Sequence, residues 1–127
     1  YGRTPFEVLA PDVASFLRDE PAAGYDLVAA ADVFVYLGAL DDVFAGTARA
    51  LRPRGLVAFS VESLVAPAAE GFRLQPTGRY AHDANYLQAL ADRHGFTGRV
   101  HAATPIRNEH DVPVAGWIVV LEKPDPR

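Results

Sequence analysis

The spacing of apolar and polar positions changes several times along the chain, and each change marks an element. A short extended segment comes first, around Phe6 to Leu9. Asp12 then opens a helical pattern with Val13, Phe16 and Leu17 on one face, stopped by Pro21 and Gly24. Tyr25 to Val35 is almost continuously apolar, broken only by Asp26 and Asp32, and reads as a parallel strand buried on both faces. Leu40, Val43, Phe44, Ala48 and Leu51 repeat at the helical period. Asp41 and Asp42 suit the positive end of that helix, and Pro53 and Gly55 terminate it. Leu56 to Val61 is a second buried-strand run, and Val65 to Ala81 reads as a long loop. From Asp83 a further helix carries Tyr86, Leu87, Leu90 and Ala91, with Gly95 placed for a left-handed cap. Phe96 to Ile106 and Val114 to Glu122 are the last strands. Arg107 to Pro113 is too short for a helical crossover, so these two form an antiparallel hairpin.

Strand, helix, strand, helix, strand and a closing hairpin predict an α/β fold with a mixed sheet. At 127 residues the chain is the size of one domain. No apolar run approaches the roughly 18 residues of a membrane helix, and no secretory leader is visible, so no membrane partner is expected. Cysteine is absent, which removes disulfides, thiolate catalysis and cysteine zinc sites. A net charge of −4 argues against a general phosphate-backbone binder, so no nucleic-acid partner is expected. Lys123 is the only lysine among many arginines, and with abundant Ala, Gly and Pro this points to a GC-rich, bacterial coding sequence. Methionine is also absent, and a chain opening at Tyr1 reads as a piece of something longer.

Two stretches carry a resemblance. Tyr25-Asp-Leu-Val-Ala-Ala-Ala-Asp32-Val-Phe-Val-Tyr36-Leu is followed by a helix and then by Ala50-Leu-Arg-Pro-Arg-Gly-Leu-Val-Ala-Phe-Ser60. Together they resemble class I S-adenosylmethionine-dependent methyltransferases, whose fourth strand begins in this way and whose fifth follows a Leu-Arg-Pro-Gly-Gly turn. Arg54 stands where the first of those glycines is usual. Gly78-Arg-Tyr-Ala-His82 and the closing hairpin look like a bacterial subgroup associated with tetratricopeptide repeats. The resemblance implies a partial Rossmann-like methyltransferase fold: a single domain over residues 1–127, forming the C-terminal part of a methyltransferase domain. The glycine-rich cofactor loop would then lie before residue 1. It further implies a cytoplasmic enzyme that uses S-adenosylmethionine as cofactor and transfers its methyl group to a small-molecule acceptor. The alternative is a non-catalytic interaction module that keeps the half-fold.

Candidate site residues follow from both lines. Asp32, at the carboxyl end of the strongest strand, lies where open α/β sheets bind ligands; the resemblance puts it where the cofactor's methionine part and the acceptor would meet, to contact the cofactor and to orient the acceptor or take its proton. The plainer reading is a cap at a strand end. Asp12 suits an N-cap equally well as the resemblance's contact to the adenine amino group. Phe34 and Tyr36 could face a sulfonium by cation–π attraction, Phe34 with the cofactor and Tyr36 with the acceptor, although packing is the commoner use. His82 is a candidate general base, set against a solvated loop histidine. Arg73, Arg79 and His82 could clamp an acidic acceptor or equally form a solvated loop, and Tyr80 between them is a further acceptor-binding candidate. His94, His101 and His110 lack metal-ligand spacing, and adjacent Asp41 and Asp42 point apart on a helix, so no metal is expected. If the family's first strands are missing, the Tyr25–Val35 strand is an open edge, and a homo-oligomer through that edge is expected.

Overall fold

In the computed structural model, which describes residues 24–30, 34, 37–64 and 69–124, the chain builds a six-stranded mixed sheet with two helices. The expected extended segment at Phe6 to Leu9 and the helix from Asp12 lie outside the described residues. Strand β1 (Tyr25–Ala30) is followed by helix α1 (Asp41–Ala50), and the chain passes directly into β2 (Leu51–Ser63). Two short strands follow, β3 (Phe72–Leu74) and β4 (Tyr80–His82). Helix α2 (Ala84–Arg93) then leads to the long pair β5 (Thr97–Glu109) and β6 (Val112–Glu122).

The sheet is organised around β2. On one edge β2 pairs antiparallel with β6, and β6 with β5, as the short connector predicts. On the other edge β2 carries two parallel partners in tandem: β1 along its first part and β4 at Glu62 and Ser63. The ladder between β1 and β2 jumps from Tyr25↔Leu51 to Leu27↔Leu56, so the regular pairing starts where the sequence expects the strand. The skipped residues hold Arg54 in a left-handed conformation with φ 70°. This is the position where the resembling family has glycine, and the backbone geometry explains why: a side chain there pays a steric cost that glycine does not.

Cross-strand register assigns the two faces of the sheet. Val57, Phe59 and Val61 of β2, with Val119 and Leu121 of β6, point to the helices and are buried. They meet Val43, Phe44 and Ala50 of α1 and Leu87, Leu90 and Ala91 of α2. Phe44 stands edge-on to Phe59 and to Phe96, with ring centroids 5.9 and 6.0 Å apart. The opposite face is apolar but open. Leu27 is 50% exposed and its register partner Leu56 is 36% exposed, with Ile118 beyond them. The expectation that β1 is buried on both faces is therefore corrected. Among the described residues it has a partner on one edge only, and nothing covers Leu27 and Ala29.

The expected loop from Val65 to Ala81 is also corrected, because it contains β3 and the start of β4. These pair as a small antiparallel hairpin with Phe72 opposite His82 and Leu74 opposite Tyr80. Helix α2 starts as the sequence predicts, with the Asp83 carboxylate accepting from the Asn85 amide at 2.8 Å. Its chain turns at Gly95, where φ is 77°. The hairpin of β5 and β6 closes through His110 and Asp111, both left-handed at φ 50° and 65°. Two consecutive positive φ values define the tight turn whose twist matches the flanking strands, and glycine or asparagine is the usual occupant.

A candidate site at the carboxyl ends of the parallel strands

Strand β2 runs past the end of β1, and the hairpin of β3 and β4 occupies the space this leaves. The chain leaving β1 therefore comes back under the hairpin. At Gly38 a Cβ atom would stand 2.7 Å from one ring carbon of Phe72 and 2.9 Å from one of Tyr80. Only glycine lets the rings approach this closely. The site so formed lies outside the carboxyl ends of the parallel strands, where open α/β sheets bind ligands.

His82 lies at the centre of this contact. Its side chain is fully buried, and its Nε2 sits 3.0 Å from the Gly38 carbonyl oxygen. A carbonyl only accepts, so Nε2 carries the proton and donates it. Nδ1 has no hydrogen-bond partner among the described residues. The ring stacks on Tyr86 (centroids 6.3 Å apart, 19° between planes) and lies beside Phe72 at 6.2 Å. Burial pushes the His82 pKa below its usual 6.5, against the opposing pull of bonds to the Gly38 and Leu37 carbonyls. The imidazole is thus neutral at pH 7. Tyr86 extends the network, its hydroxyl oxygen accepting from the Leu40 amide at 2.9 Å. Burial holds that phenol above its usual pKa; the Leu40 bond opposes this, Asp41 adds to it, and Arg93 opposes it. Arg93 and Asp41 pair at 2.7 Å and tie α2 to α1.

The structure brings four of the candidate residues together. Arg73, Arg79, Tyr80 and His82 all lie on the hairpin or its turn, with Arg73 exposed and Arg79 and Tyr80 half-buried. The Arg79 amide donates to Thr77 Oγ1 at 3.4 Å, and the Gln75 amide donates to the Arg79 carbonyl at 2.8 Å, which shapes that turn. Asp12, Asp32 and Tyr36 lie outside the described residues. Two expectations change. Phe34 is 2% exposed and packs on Phe59 with centroids 4.8 Å apart, so its ring belongs to the core and offers no face to a cofactor. His82 is not a loop side chain open to a substrate proton, because β4 turns it inward and other rings enclose it.

Sequence reasoning leaves out Gly38, Tyr86 as a polar group, and Glu62. Glu62 is 7% exposed at the end of β2, between Ala81 of β4 and Gly116 of β6. Its one sequence signal is an acidic residue closing an apolar run. Gly38 carries no signal of its own, since its close neighbours come from a hairpin far along the chain. A second hollow of about 390 Å³ lies on the open face, lined by Ala29, Ala58, Pro105, Ile106 and Ile118 among others.

No protein-family pattern matches this sequence, and no curated protein matches it. Solved structures do. An S-adenosylmethionine-dependent methyltransferase from Methanosarcina mazei superposes with a TM-score of 0.71 at 12% identity, over 89% of this chain and 65% of its own. One from Mesorhizobium loti gives a TM-score of 0.60 at 18% identity, over 84% of this chain and 66% of its own. The 1,6-didemethyltoxoflavin-N1-methyltransferase of Burkholderia thailandensis, with its substrate and S-adenosylhomocysteine bound, gives 0.61 at 18% identity, over 86% of this chain and 48% of its own. The chain thus spans about half to two thirds of the length of these structures. Its architecture, with a mixed sheet, helices on the described face and an antiparallel closing hairpin, is the class I S-adenosylmethionine-dependent methyltransferase fold in partial form.

Proposed function

We propose that this chain is the C-terminal, acceptor-side part of an S-adenosylmethionine-dependent methyltransferase. The observation that carries the reading is the fold match to methyltransferases over 89% of the chain, with Arg73, Arg79 and Tyr80 gathered at the carboxyl ends of its parallel strands. The remainder of the fold, with the glycine-rich loop, then lies in sequence before residue 1. Bound S-adenosylmethionine would supply an electrophilic methyl on its sulfonium, which the acceptor takes in line as the sulfur departs as a neutral thioether. The protein has to align donor and acceptor and keep water out. The residues present suit that demand. A cationic sulfonium is favoured by carboxylates and π faces, and the site offers the half-buried ring of Tyr80.

In this reading Asp32 contacts the methionine end of the cofactor and orients the acceptor or takes its proton, Asp12 holds the adenine, and Tyr36, Arg73, Arg79 and Tyr80 line the acceptor side. A small-molecule acceptor is favoured by the net charge of −4, which repels a phosphate backbone, and by the Burkholderia enzyme's small heterocyclic substrate. A Thermus thermophilus neighbour provisionally named as a DNA modification methylase marks the other acceptor class on this fold. Calorimetry of the natural full-length protein with S-adenosylhomocysteine tests the reading. Saturable binding is expected, weakened in Asp32→Asn without loss of thermal stability. A folded full-length protein giving no binding heat would overturn it.

A further inference from the structure

The contact between Gly38 and the hairpin has the form of a latch. Three independent features meet there. The Gly38 carbonyl accepts from His82 Nε2 at 3.0 Å, the Phe72 and Tyr80 rings press on Gly38 where a Cβ would intrude, and the Tyr86 hydroxyl accepts from the Leu40 amide at 2.9 Å. All the latch residues on one side belong to the turn Leu37–Leu40 that leaves β1. Those on the other belong to β3, β4 and α2. The hairpin is also held by the Phe72 ring packing on Tyr86 of α2, with centroids 5.6 Å apart. Among the described residues its ladder to the main sheet is the two-residue register Glu62↔Ala81 and Ser63↔His82, extended by the Leu64 amide donating to the His82 carbonyl at 2.9 Å. A three-residue, two-stranded hairpin is marginal by itself.

From this geometry we infer that His82 is a positioning residue: through Gly38 it couples the segment leaving β1 to the hairpin that carries Arg73, Arg79 and Tyr80, so that the two move as one body. This rests on the methyl-transfer reading for its purpose, since β1 would then lead to the cofactor and the hairpin to the acceptor. The latch gives a way for a filled cofactor side to order the acceptor side before the acceptor arrives. Such coupling requires a linked element that both sites bias, and the latch is that element.

Amide hydrogen exchange on the natural full-length protein tests it, with S-adenosylhomocysteine as the probe. Without ligand, His82→Leu leaves the Gly38 carbonyl unpaired, and exchange across residues 72–82 should rise about tenfold, the equivalent of one buried hydrogen bond. His82→Gln keeps an N–H donor and should restore most of the protection. Gly38→Ala forces the rings aside from the other partner and should loosen the same residues. Unchanged exchange in both His82→Leu and Gly38→Ala would overturn the latch. With ligand, protection should spread from residues 37–40 to 72–82 in the wild type and in His82→Gln, but stop at 37–40 in His82→Leu. Equal spreading in His82→Leu would overturn the coupling, leaving His82 with packing alone. If the wild type takes up no S-adenosylhomocysteine, the methyl-transfer reading falls and the coupling with it. The ligand-free comparison still decides separately whether the latch exists.

Discussion

Arg54 and His82 are two residues whose backbone or ring environment opposes their chemistry, and each gives a measurable consequence. Arg54 pays a steric cost of about 1–2 kcal/mol at φ 70°. In return its amide donates to the Lys123 carbonyl, and its Nε lies 3.1 Å from Glu122 Oε2. Glycine keeps the amide bond, which the backbone N–H donates. The ion pair is largely exposed on the arginine side, and Glu122 retains Arg99 as a second partner. Arg54→Gly should therefore stabilise the protein by about 0.5–1 kcal/mol after the unfolded-state entropy of glycine is charged against it. A melting temperature below that of the wild type would contradict this account. His82 is the opposite case, a buried ring whose folded pKa lies below its unfolded value near 6.5. The unfolded chain then binds the proton more readily, so the contribution is full above pH 6.5 and is lost as pH falls through the lowered folded pKa. Melting temperature measured from pH 7.5 down to 5 should drop more steeply in the wild type than in His82→Gln, which cannot titrate. Parallel profiles would remove His82 from the acid response.

At the scale of elements, α1 and α2 begin in different ways. Helix α2 has Asp83 as its N-cap, accepting from the Asn85 amide at 2.8 Å, and Asp83→Ala should cost about 1 kcal/mol in denaturant midpoint at constant slope. No loss would mean that water replaces the cap. Helix α1 starts at Leu40, which has no capping side chain and instead borrows the Tyr86 hydroxyl from α2. The first cap is legible in sequence because an Asp precedes an apolar period. The second is not, because it crosses from one helix to another. The same distinction separates the elements themselves. The helices, β2 and the closing hairpin show in the sequence because each buries an apolar face of its own. Strands β3 and β4 are three residues long, below the span over which a period can be seen, and their order depends on partners elsewhere. Arg73, Arg79, Tyr80 and His82 are visible as a group because they lie close in sequence. The inward turn of His82 is decided by which face β4 gives to Gly38, and no local pattern encodes that.

At the scale of the whole molecule, the exposed apolar face of β1 and the edge that no described strand covers favour association. Among the described residues β1 pairs only with β2, and Leu27 on that strand is 50% exposed beside Leu56. Such an edge recruits other strands, and a charged side chain blunts it. The 127-residue chain prepared alone is expected to self-associate in light scattering at micromolar concentration, and Leu27→Lys to suppress this. A monodisperse monomer in the wild type would show that the edge is already covered. Finally, the tight turn at His110 and Asp111 bears on how the chain reaches this structure. Strands β5 and β6 are neighbours in sequence, so they close at small entropic cost, whereas the ladder of β2 to β6 joins segments far apart in the chain. The hairpin is thus the long pairing with the lowest closure cost in the sheet. Two side chains held at positive φ raise the cost of this otherwise cheap closure, so the residues of the turn, not its length, set how readily the two strands meet.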